Sequence, residues 1–170
     1  NHCAYAATSL GIVSTLQLFD LAALTQPAKL GLTTMDGAVH DIVLVGNLAY
    51  ITTQTGVLHI IDVSARAAPK EVGRYQMTAE FLDLAISGHY ALLAAGLEGL
   101  QILDIADPAQ IHRVGGISTP GFVHAVAAAG HAASAEGTAA ALGAFSPEMG
   151  IGVRFTGFAE IHRHVGGVEV

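Results

Sequence analysis

Charge is what this chain lacks most. Only 12% of its residues are Asp, Glu, Lys or Arg, while 52% are hydrophobic; an average soluble domain is about 25% charged. Basic residues are the scarcer sign: Lys and Arg total 7 against 14 acidic residues, for a net charge of −7. No basic patch exists to neutralise phosphates, so nucleic-acid binding is disfavoured. Cysteine occurs once, at Cys3, which excludes an internal disulfide framework and any multi-cysteine metal site. Tryptophan is absent and aromatics make up 6%, too few for the stacking platforms on which sugars usually bind. No uninterrupted apolar run reaches the roughly 18 residues of a spanning helix, so no transmembrane segment is expected. The longest candidate, residues 125–143, is broken by His131, Glu136 and glycines, and is built of small residues. Low charge without a membrane span points to deep burial within an assembly.

What is present is a sentence written several times. Asp20, Asp62 and Asp104 stand 42 positions apart, and each closes an apolar run: "LQLFD", "LHIID", "LQILD". A further step of 42 reaches Ser146 at the end of "LGAFS". Gly31, Gly73, Gly115 and Gly157 keep the same step, as do Gly46, Gly88 and Gly130. A fixed period of this size marks a repeat architecture. Within a copy, "VHDIVLV" or "FLDLAIS" leads to a "GN" or "GH" turn, then to a second strand, "LAYITT" or "YALLAA". Such glycine pairs between apolar runs are hairpin signals. The third strand, "VLHIIDV" or "LQILDI", is nearly continuously apolar, as for a strand covered on both faces. "ARAAP" or "ADP" turns the chain into a fourth strand, "KEVGRYQ" or "IHRVGGI".

Four short antiparallel strands per unit of about 40 residues is the arithmetic of a β-propeller blade. The expected fold is therefore all-β, a propeller of four-stranded repeats over residues 1–36, 37–78, 79–120 and 121–162, with 163–170 beginning a further strand. Asn1 falls at the start of a second strand and the tail "RHVGGVEV" aligns with a first strand, so the chain is read as cut inside a blade at both ends. Two readings follow: four blades of a larger propeller, which is preferred, or a closed four-bladed ring sealed across the termini. The fourth copy, "HAVAAAGHAASAEGTAAALGAF", puts alanine at most core positions. Each large-to-Ala change in a packed core costs about 2–5 kcal/mol, so this unit is marginal without a packed neighbour.

The copies "GNLAYITTQTGVLHIIDVSARAAPKEVG" and "GHYALLAAGLEGLQILDIADPAQIHRVG" resemble the LVIVD repeat, with its glycine turn, "AY" strand, "GLQIIDVS" strand, proline turn and "VG" strand. The first copy, residues 1–31, resembles it too, with a longer loop expected around Gly11 to Thr15; from Gly121 onward the likeness weakens. The resemblance implies a β-propeller in a secreted, periplasmic or cell-surface protein, and it carries no catalytic residues to transfer.

Nine histidines among so few charges are the compositional oddity. His40 and His124 occupy one repeat position two copies apart, near the start of the first strand. Two imidazoles facing a central channel could ligate a transition metal. His162 and His164, alternating in "IHRH", share one face of a strand at chelate spacing. The plainer reading is hydrogen bonding to neighbouring backbone for the first pair and a solvated strand for the second. His112 with Arg113 echoes the motif, and His2 with Cys3 is a weaker candidate. Asp41 and Asp83 share a repeat position, where paired carboxylates could do acid–base work; residues repeated at a structural phase are more often turn and strand-end fasteners. No nucleophile elbow, P-loop, dinucleotide fingerprint or H-E-x-x-H motif occurs. These features predict a non-catalytic scaffold or protein-binding module working with other protein chains and needing no cofactor. The competing expectation is a histidine-ligated metal-binding propeller, such as an oxidase.

Overall fold

A computed structural model describes residues 3–119, 121–129, 132–137 and 152–156. Among the described residues, fourteen strands form four sheets, and the only helix is a single 3-10 turn, Pro108–Gln110. The first sheet has three strands, β1 (Cys3–Leu10), β2 (Val13–Asp20) and β3 (Ala28–Asp36). The second runs in chain order through β4 (Val39–Val45), β5 (Leu48–Thr53), β6 (Val57–Asp62) and β7 (Lys70–Gln76). The third repeats that order with β8 (Asp83–Ser87), β9 (Tyr90–Ala94), β10 (Leu100–Asp104) and β11 (His112–Ile117). All three are antiparallel meanders.

Side-chain alternation explains why the middle sheet is apolar throughout. Tyr50, Leu58 and Ile60 leave one face and join Phe81, Leu84 and Leu93 of the third unit in one cluster. Ala49, Ile51 and Ile61 leave the other face and join Leu16, Leu18 and Met35 of the first. Both faces of this sheet are therefore core. Each Leu, Ile or Phe so buried contributes about 1.5–3 kcal/mol of transfer free energy. A third cluster, Leu92, Leu100 and Ile117 with Val123 and Val126, carries the stacking on to β12 (Val123–Ala129).

The repeated residues have repeated jobs. Asp20, Asp62 and Asp104 each end a strand, and in each the Oδ1 accepts the N–H two residues on: from Ala22 at 2.9 Å, Ser64 at 2.8 Å and Ala106 at 2.8 Å. These are Asx turns that start the loop to the fourth strand. Gly46 and Gly88 sit in the two-residue turns before β5 and β9 with φ of 60° and 59°, the left-handed region that glycine enters without penalty. Gly31 and Gly73 meet a different need. A Cβ at Gly31 would overlap the carbonyl oxygen of Arg66, and one at Gly73 that of Pro108. Each glycine thus opens a gap for the loop of the next sheet. The strand partner is bulged at the same phase, between Leu18 and Phe19 and between Ile60 and Ile61.

Two features depart from expectation. The longer loop foreseen around Gly11 to Thr15 is instead a longer hairpin: Leu10 pairs with Val13, leaving only Gly11 and Ile12 in the turn. Thr8 opposite Thr15 and Ser9 opposite Ser14, whose hydroxyls lie 2.7 Å apart, continue the ladder, because paired hydroxyl residues suit a strand better than a loop. The fourth sheet is also mixed. β12 pairs antiparallel with β13 (Ala132–Gly137), but β13 pairs parallel with β14 (Gly152–Thr156). A parallel return needs a dozen or more intervening residues, and 14 separate Gly137 from Gly152. The expected third strand of that copy, "LGAFS", lies outside the described residues.

Candidate functional site

The repeat places Asp41 and Asp83 at one phase, near the starts of β4 and β8, and sheet stacking brings the two carboxyls together. Asp41 Oδ1 accepts the N–H of Ile42 at 2.7 Å. Asp83 Oδ2 accepts the N–H of Val126, on the first strand of the next sheet, at 2.7 Å. Asp41 in turn reaches the N–H of Leu84 and hydrogen-bonds the Asp83 carboxyl. Each aspartate therefore fastens to the residue 43 positions ahead, one sheet further on. Burial raises the pKa of Asp41 above the usual carboxylate range, and the neighbouring Asp83 charge adds to this, while the N–H groups of Ile42 and Leu84 act against it. Thr52 stands directly opposite Asp41 in the β4–β5 register. It is fully buried, and its hydroxyl oxygen has no hydrogen-bond partner. Phe81 and Leu84, both buried, supply the apolar surroundings.

The histidine candidates lie apart from this pair in role. His40 Nε2 is 3.4 Å from Glu80 Oε1. His124 is exposed on β12. His112 Nδ1 lies 3.0 Å from the carbonyl oxygen of Gln110, and Arg113 Nε donates to Gln101 Oε1 at 2.6 Å. His162, His164 and His2 fall outside the described residues. Cys3 carries a free thiol. Among the described residues, no three or more His, Cys, Asp or Glu side chains gather as a metal-ligand group.

One polar cluster escaped the sequence reading. His59, in the middle of "LHIID", is fully buried. Its Nδ1 lies 3.1 Å from Glu71 Oε1, and its Nε2 lies 3.2 Å from the carbonyl oxygen of Asp36 on the first sheet. Arg74 adds a bidentate pair to Asp36, both bonds at 2.6 Å, and its guanidinium holds the Asp36 carboxyl below the usual range. That pair is exposed and contributes about 0–1 kcal/mol. The signal was available: positions 17, 59 and 101 read Gln, His and Gln, a polar residue kept inside an apolar strand, and a buried polar group needs a partner. In the third sheet Gln101 donates to the carbonyl oxygen of Glu98 at 2.6 Å and accepts from Arg113, the counterpart of Glu71. His59→Leu is therefore expected to lower unfolding free energy by about 1–3 kcal/mol. His59→Gln should lose less than half of that, because glutamine already serves this phase. Equal losses in urea titrations of the two variants would show that polarity at position 59 does not matter.

Among the described residues no helix is long and apolar enough to cross a membrane. No curated protein matches the chain. The family model that does match is the LVIVD repeat, over residues 36–77 and 81–119, the stretches that form the second and third sheets. The chain thus carries two LVIVD repeats in tandem.

Proposed function

We propose that the chain is a non-catalytic β-propeller scaffold that binds other protein chains, as a subunit of a larger assembly, with its units being blades of one propeller. The observation that carries this reading is the tip of the β1–β2 hairpin, where Leu10, Ile12 and Val13 are 88%, 78% and 50% exposed. These three large apolar side chains lie together at one hairpin tip, where Leu10 pairs with Val13, and clustered exposed apolar side chains mark association sites. The first sheet supports the same reading. Among the described residues it is a three-stranded sheet with β1 at its edge, a position at which a further strand can pair. By analogy with LVIVD-repeat proteins, a secreted, periplasmic or surface setting suits this role.

The test is native purification of the full chain, with mass measured by light scattering, beside Ile12→Asp. The scaffold reading expects a stable complex, with itself or another protein, that Ile12→Asp weakens at least tenfold without lowering thermal stability. A chain that stays monomeric and retains no partner contradicts it.

The second reading is a histidine-ligated metal enzyme, for which His40 and His124 at one repeat phase are the motivation. Near-stoichiometric copper, zinc or iron in the native protein would favour it.

A further inference from the structure

We infer that the His59–Glu71 pair holds one proton more than a neutral imidazole and a bare carboxylate, and that this proton latches the first sheet to the second, making their contact a pH-sensitive joint. Both ring nitrogens of the fully buried His59 face oxygens. Nδ1 lies 3.1 Å from Glu71 Oε1, and Nε2 lies 3.2 Å from the carbonyl oxygen of Asp36 and 3.6 Å from its Oδ1. A carbonyl and an ionised carboxylate only accept, and a neutral imidazole has a single N–H. In either neutral tautomer one nitrogen lone pair would point at an oxygen lone pair, away from water. One further proton, on the ring or on Glu71, gives both contacts a donor.

Charge gives the same count. Arg74 is bidentate to Asp36 and balances that acid. Glu71 is left over, and its ion-pair partner among the described residues is His59. These are the charged groups around the ring: Glu71 and Arg74 on β7 and Asp36 on β3. The other neighbours are apolar, with Ile51 of β5 opposite His59 in register and Leu16 and Leu18 of β2 on the same face of the core. The repeat shows that the combination is particular to this seam. Positions 17 and 101 carry Gln where 59 carries His, and positions 29 and 113 carry Lys and Arg where 71 carries Glu. Gln101 meets one acceptor, the Glu98 carbonyl, and one donor, Arg113, which an amide suits. Of these three units only the second sets a titrating ring against an acid. The Glu71 side chain is 37% exposed, so the proton has a route to water.

A fold that keeps a proton its unfolded chain releases loses stability as pH rises. An ordinary histidine releases its proton near about pH 6.5, so the latch is fully set below that value and slackens above it. Urea unfolding of the full chain at about pH 6 and about pH 8, on either side of that value, tests this beside His59→Gln and Glu71→Gln. The unfolding constant of the wild type should rise at least about fivefold more than that of His59→Gln over this interval, under a ceiling of about tenfold per pH unit for one proton. Glu71→Gln should fold and lose the same pH dependence, because its amide N–H can donate to Nδ1 of a neutral ring. If one variant does not fold, the other alone decides. Parallel pH curves for the wild type and the variants, or a wild-type dependence retained in Glu71→Gln, would overturn the latch. None of these outcomes bears on protein binding by the hairpin tip.

Discussion

Phe81→Ala is expected to lower unfolding free energy by about 3–5 kcal/mol, a large share of the roughly 5–15 kcal/mol that holds a typical domain together. The reason is position. Phe81 is fully buried in the cluster that joins Tyr50, Leu58 and Ile60 of the second sheet to Leu84, Leu93 and Leu103 of the third. Its ring fills the seam just before β8 begins, so removing it leaves a cavity lined by two sheets that cannot both close in. Leu97→Ala is the control, because Leu97 is 75% exposed in the β9–β10 turn; such a surface change should stay within about 0.5 kcal/mol. Urea denaturation of both variants decides the matter. A Phe81→Ala loss below about 1 kcal/mol would mean the two sheets do not share a core.

Gly73→Ala adds one methyl group and is expected to cost about 1–3 kcal/mol or more, the penalty of overpacking against a group that cannot turn aside. The obstacle is the backbone carbonyl of Pro108, not a flexible side chain. Relief requires the second sheet and the loop before β11 to separate. Gly31→Ala meets the carbonyl of Arg66 in the same way at the seam between the first and second sheets. The two seams share none of these residues, so the double variant should lose the sum of the single losses. Equilibrium unfolding of the two singles and the double measures this. A neutral Gly73→Ala would remove the structural meaning assigned to the 42-residue glycine step.

Much of the architecture was legible because the repeat reports tertiary structure through local chemistry. The Asx-turn role of Asp20, Asp62 and Asp104 could be read from an aspartate closing an apolar strand before a proline turn. The "GN" and "GH" turns gave the first hairpin of two units. The β1–β2 hairpin was misread because its additional hydroxyl residues, Thr8, Ser9, Ser14 and Thr15, look like loop composition until they are placed opposite one another. The parallel pairing of β14 with β13 was not legible, since register between distant segments leaves no local trace.

The site was half legible. Asp41 and Asp83 were visible as repeat mates, but a repeat phase does not say that neighbouring copies touch at that phase. Thr52 gave no signal, because its meaning rests on a missing partner in three dimensions. His59 could have been found by asking what a histidine does in the middle of "LHIID".

The central claim is that consecutive 42-residue units are separate sheets whose faces share one core. Methyl–methyl NOE spectroscopy on Leu-, Ile- and Val-labelled protein tests it most directly. The account predicts cross-peaks from Leu58 and Ile60 to Leu84 and Leu93, and from Ile51 and Ile61 to Leu16 and Leu18. Strong peaks confined within each unit, with none between units, would contradict it.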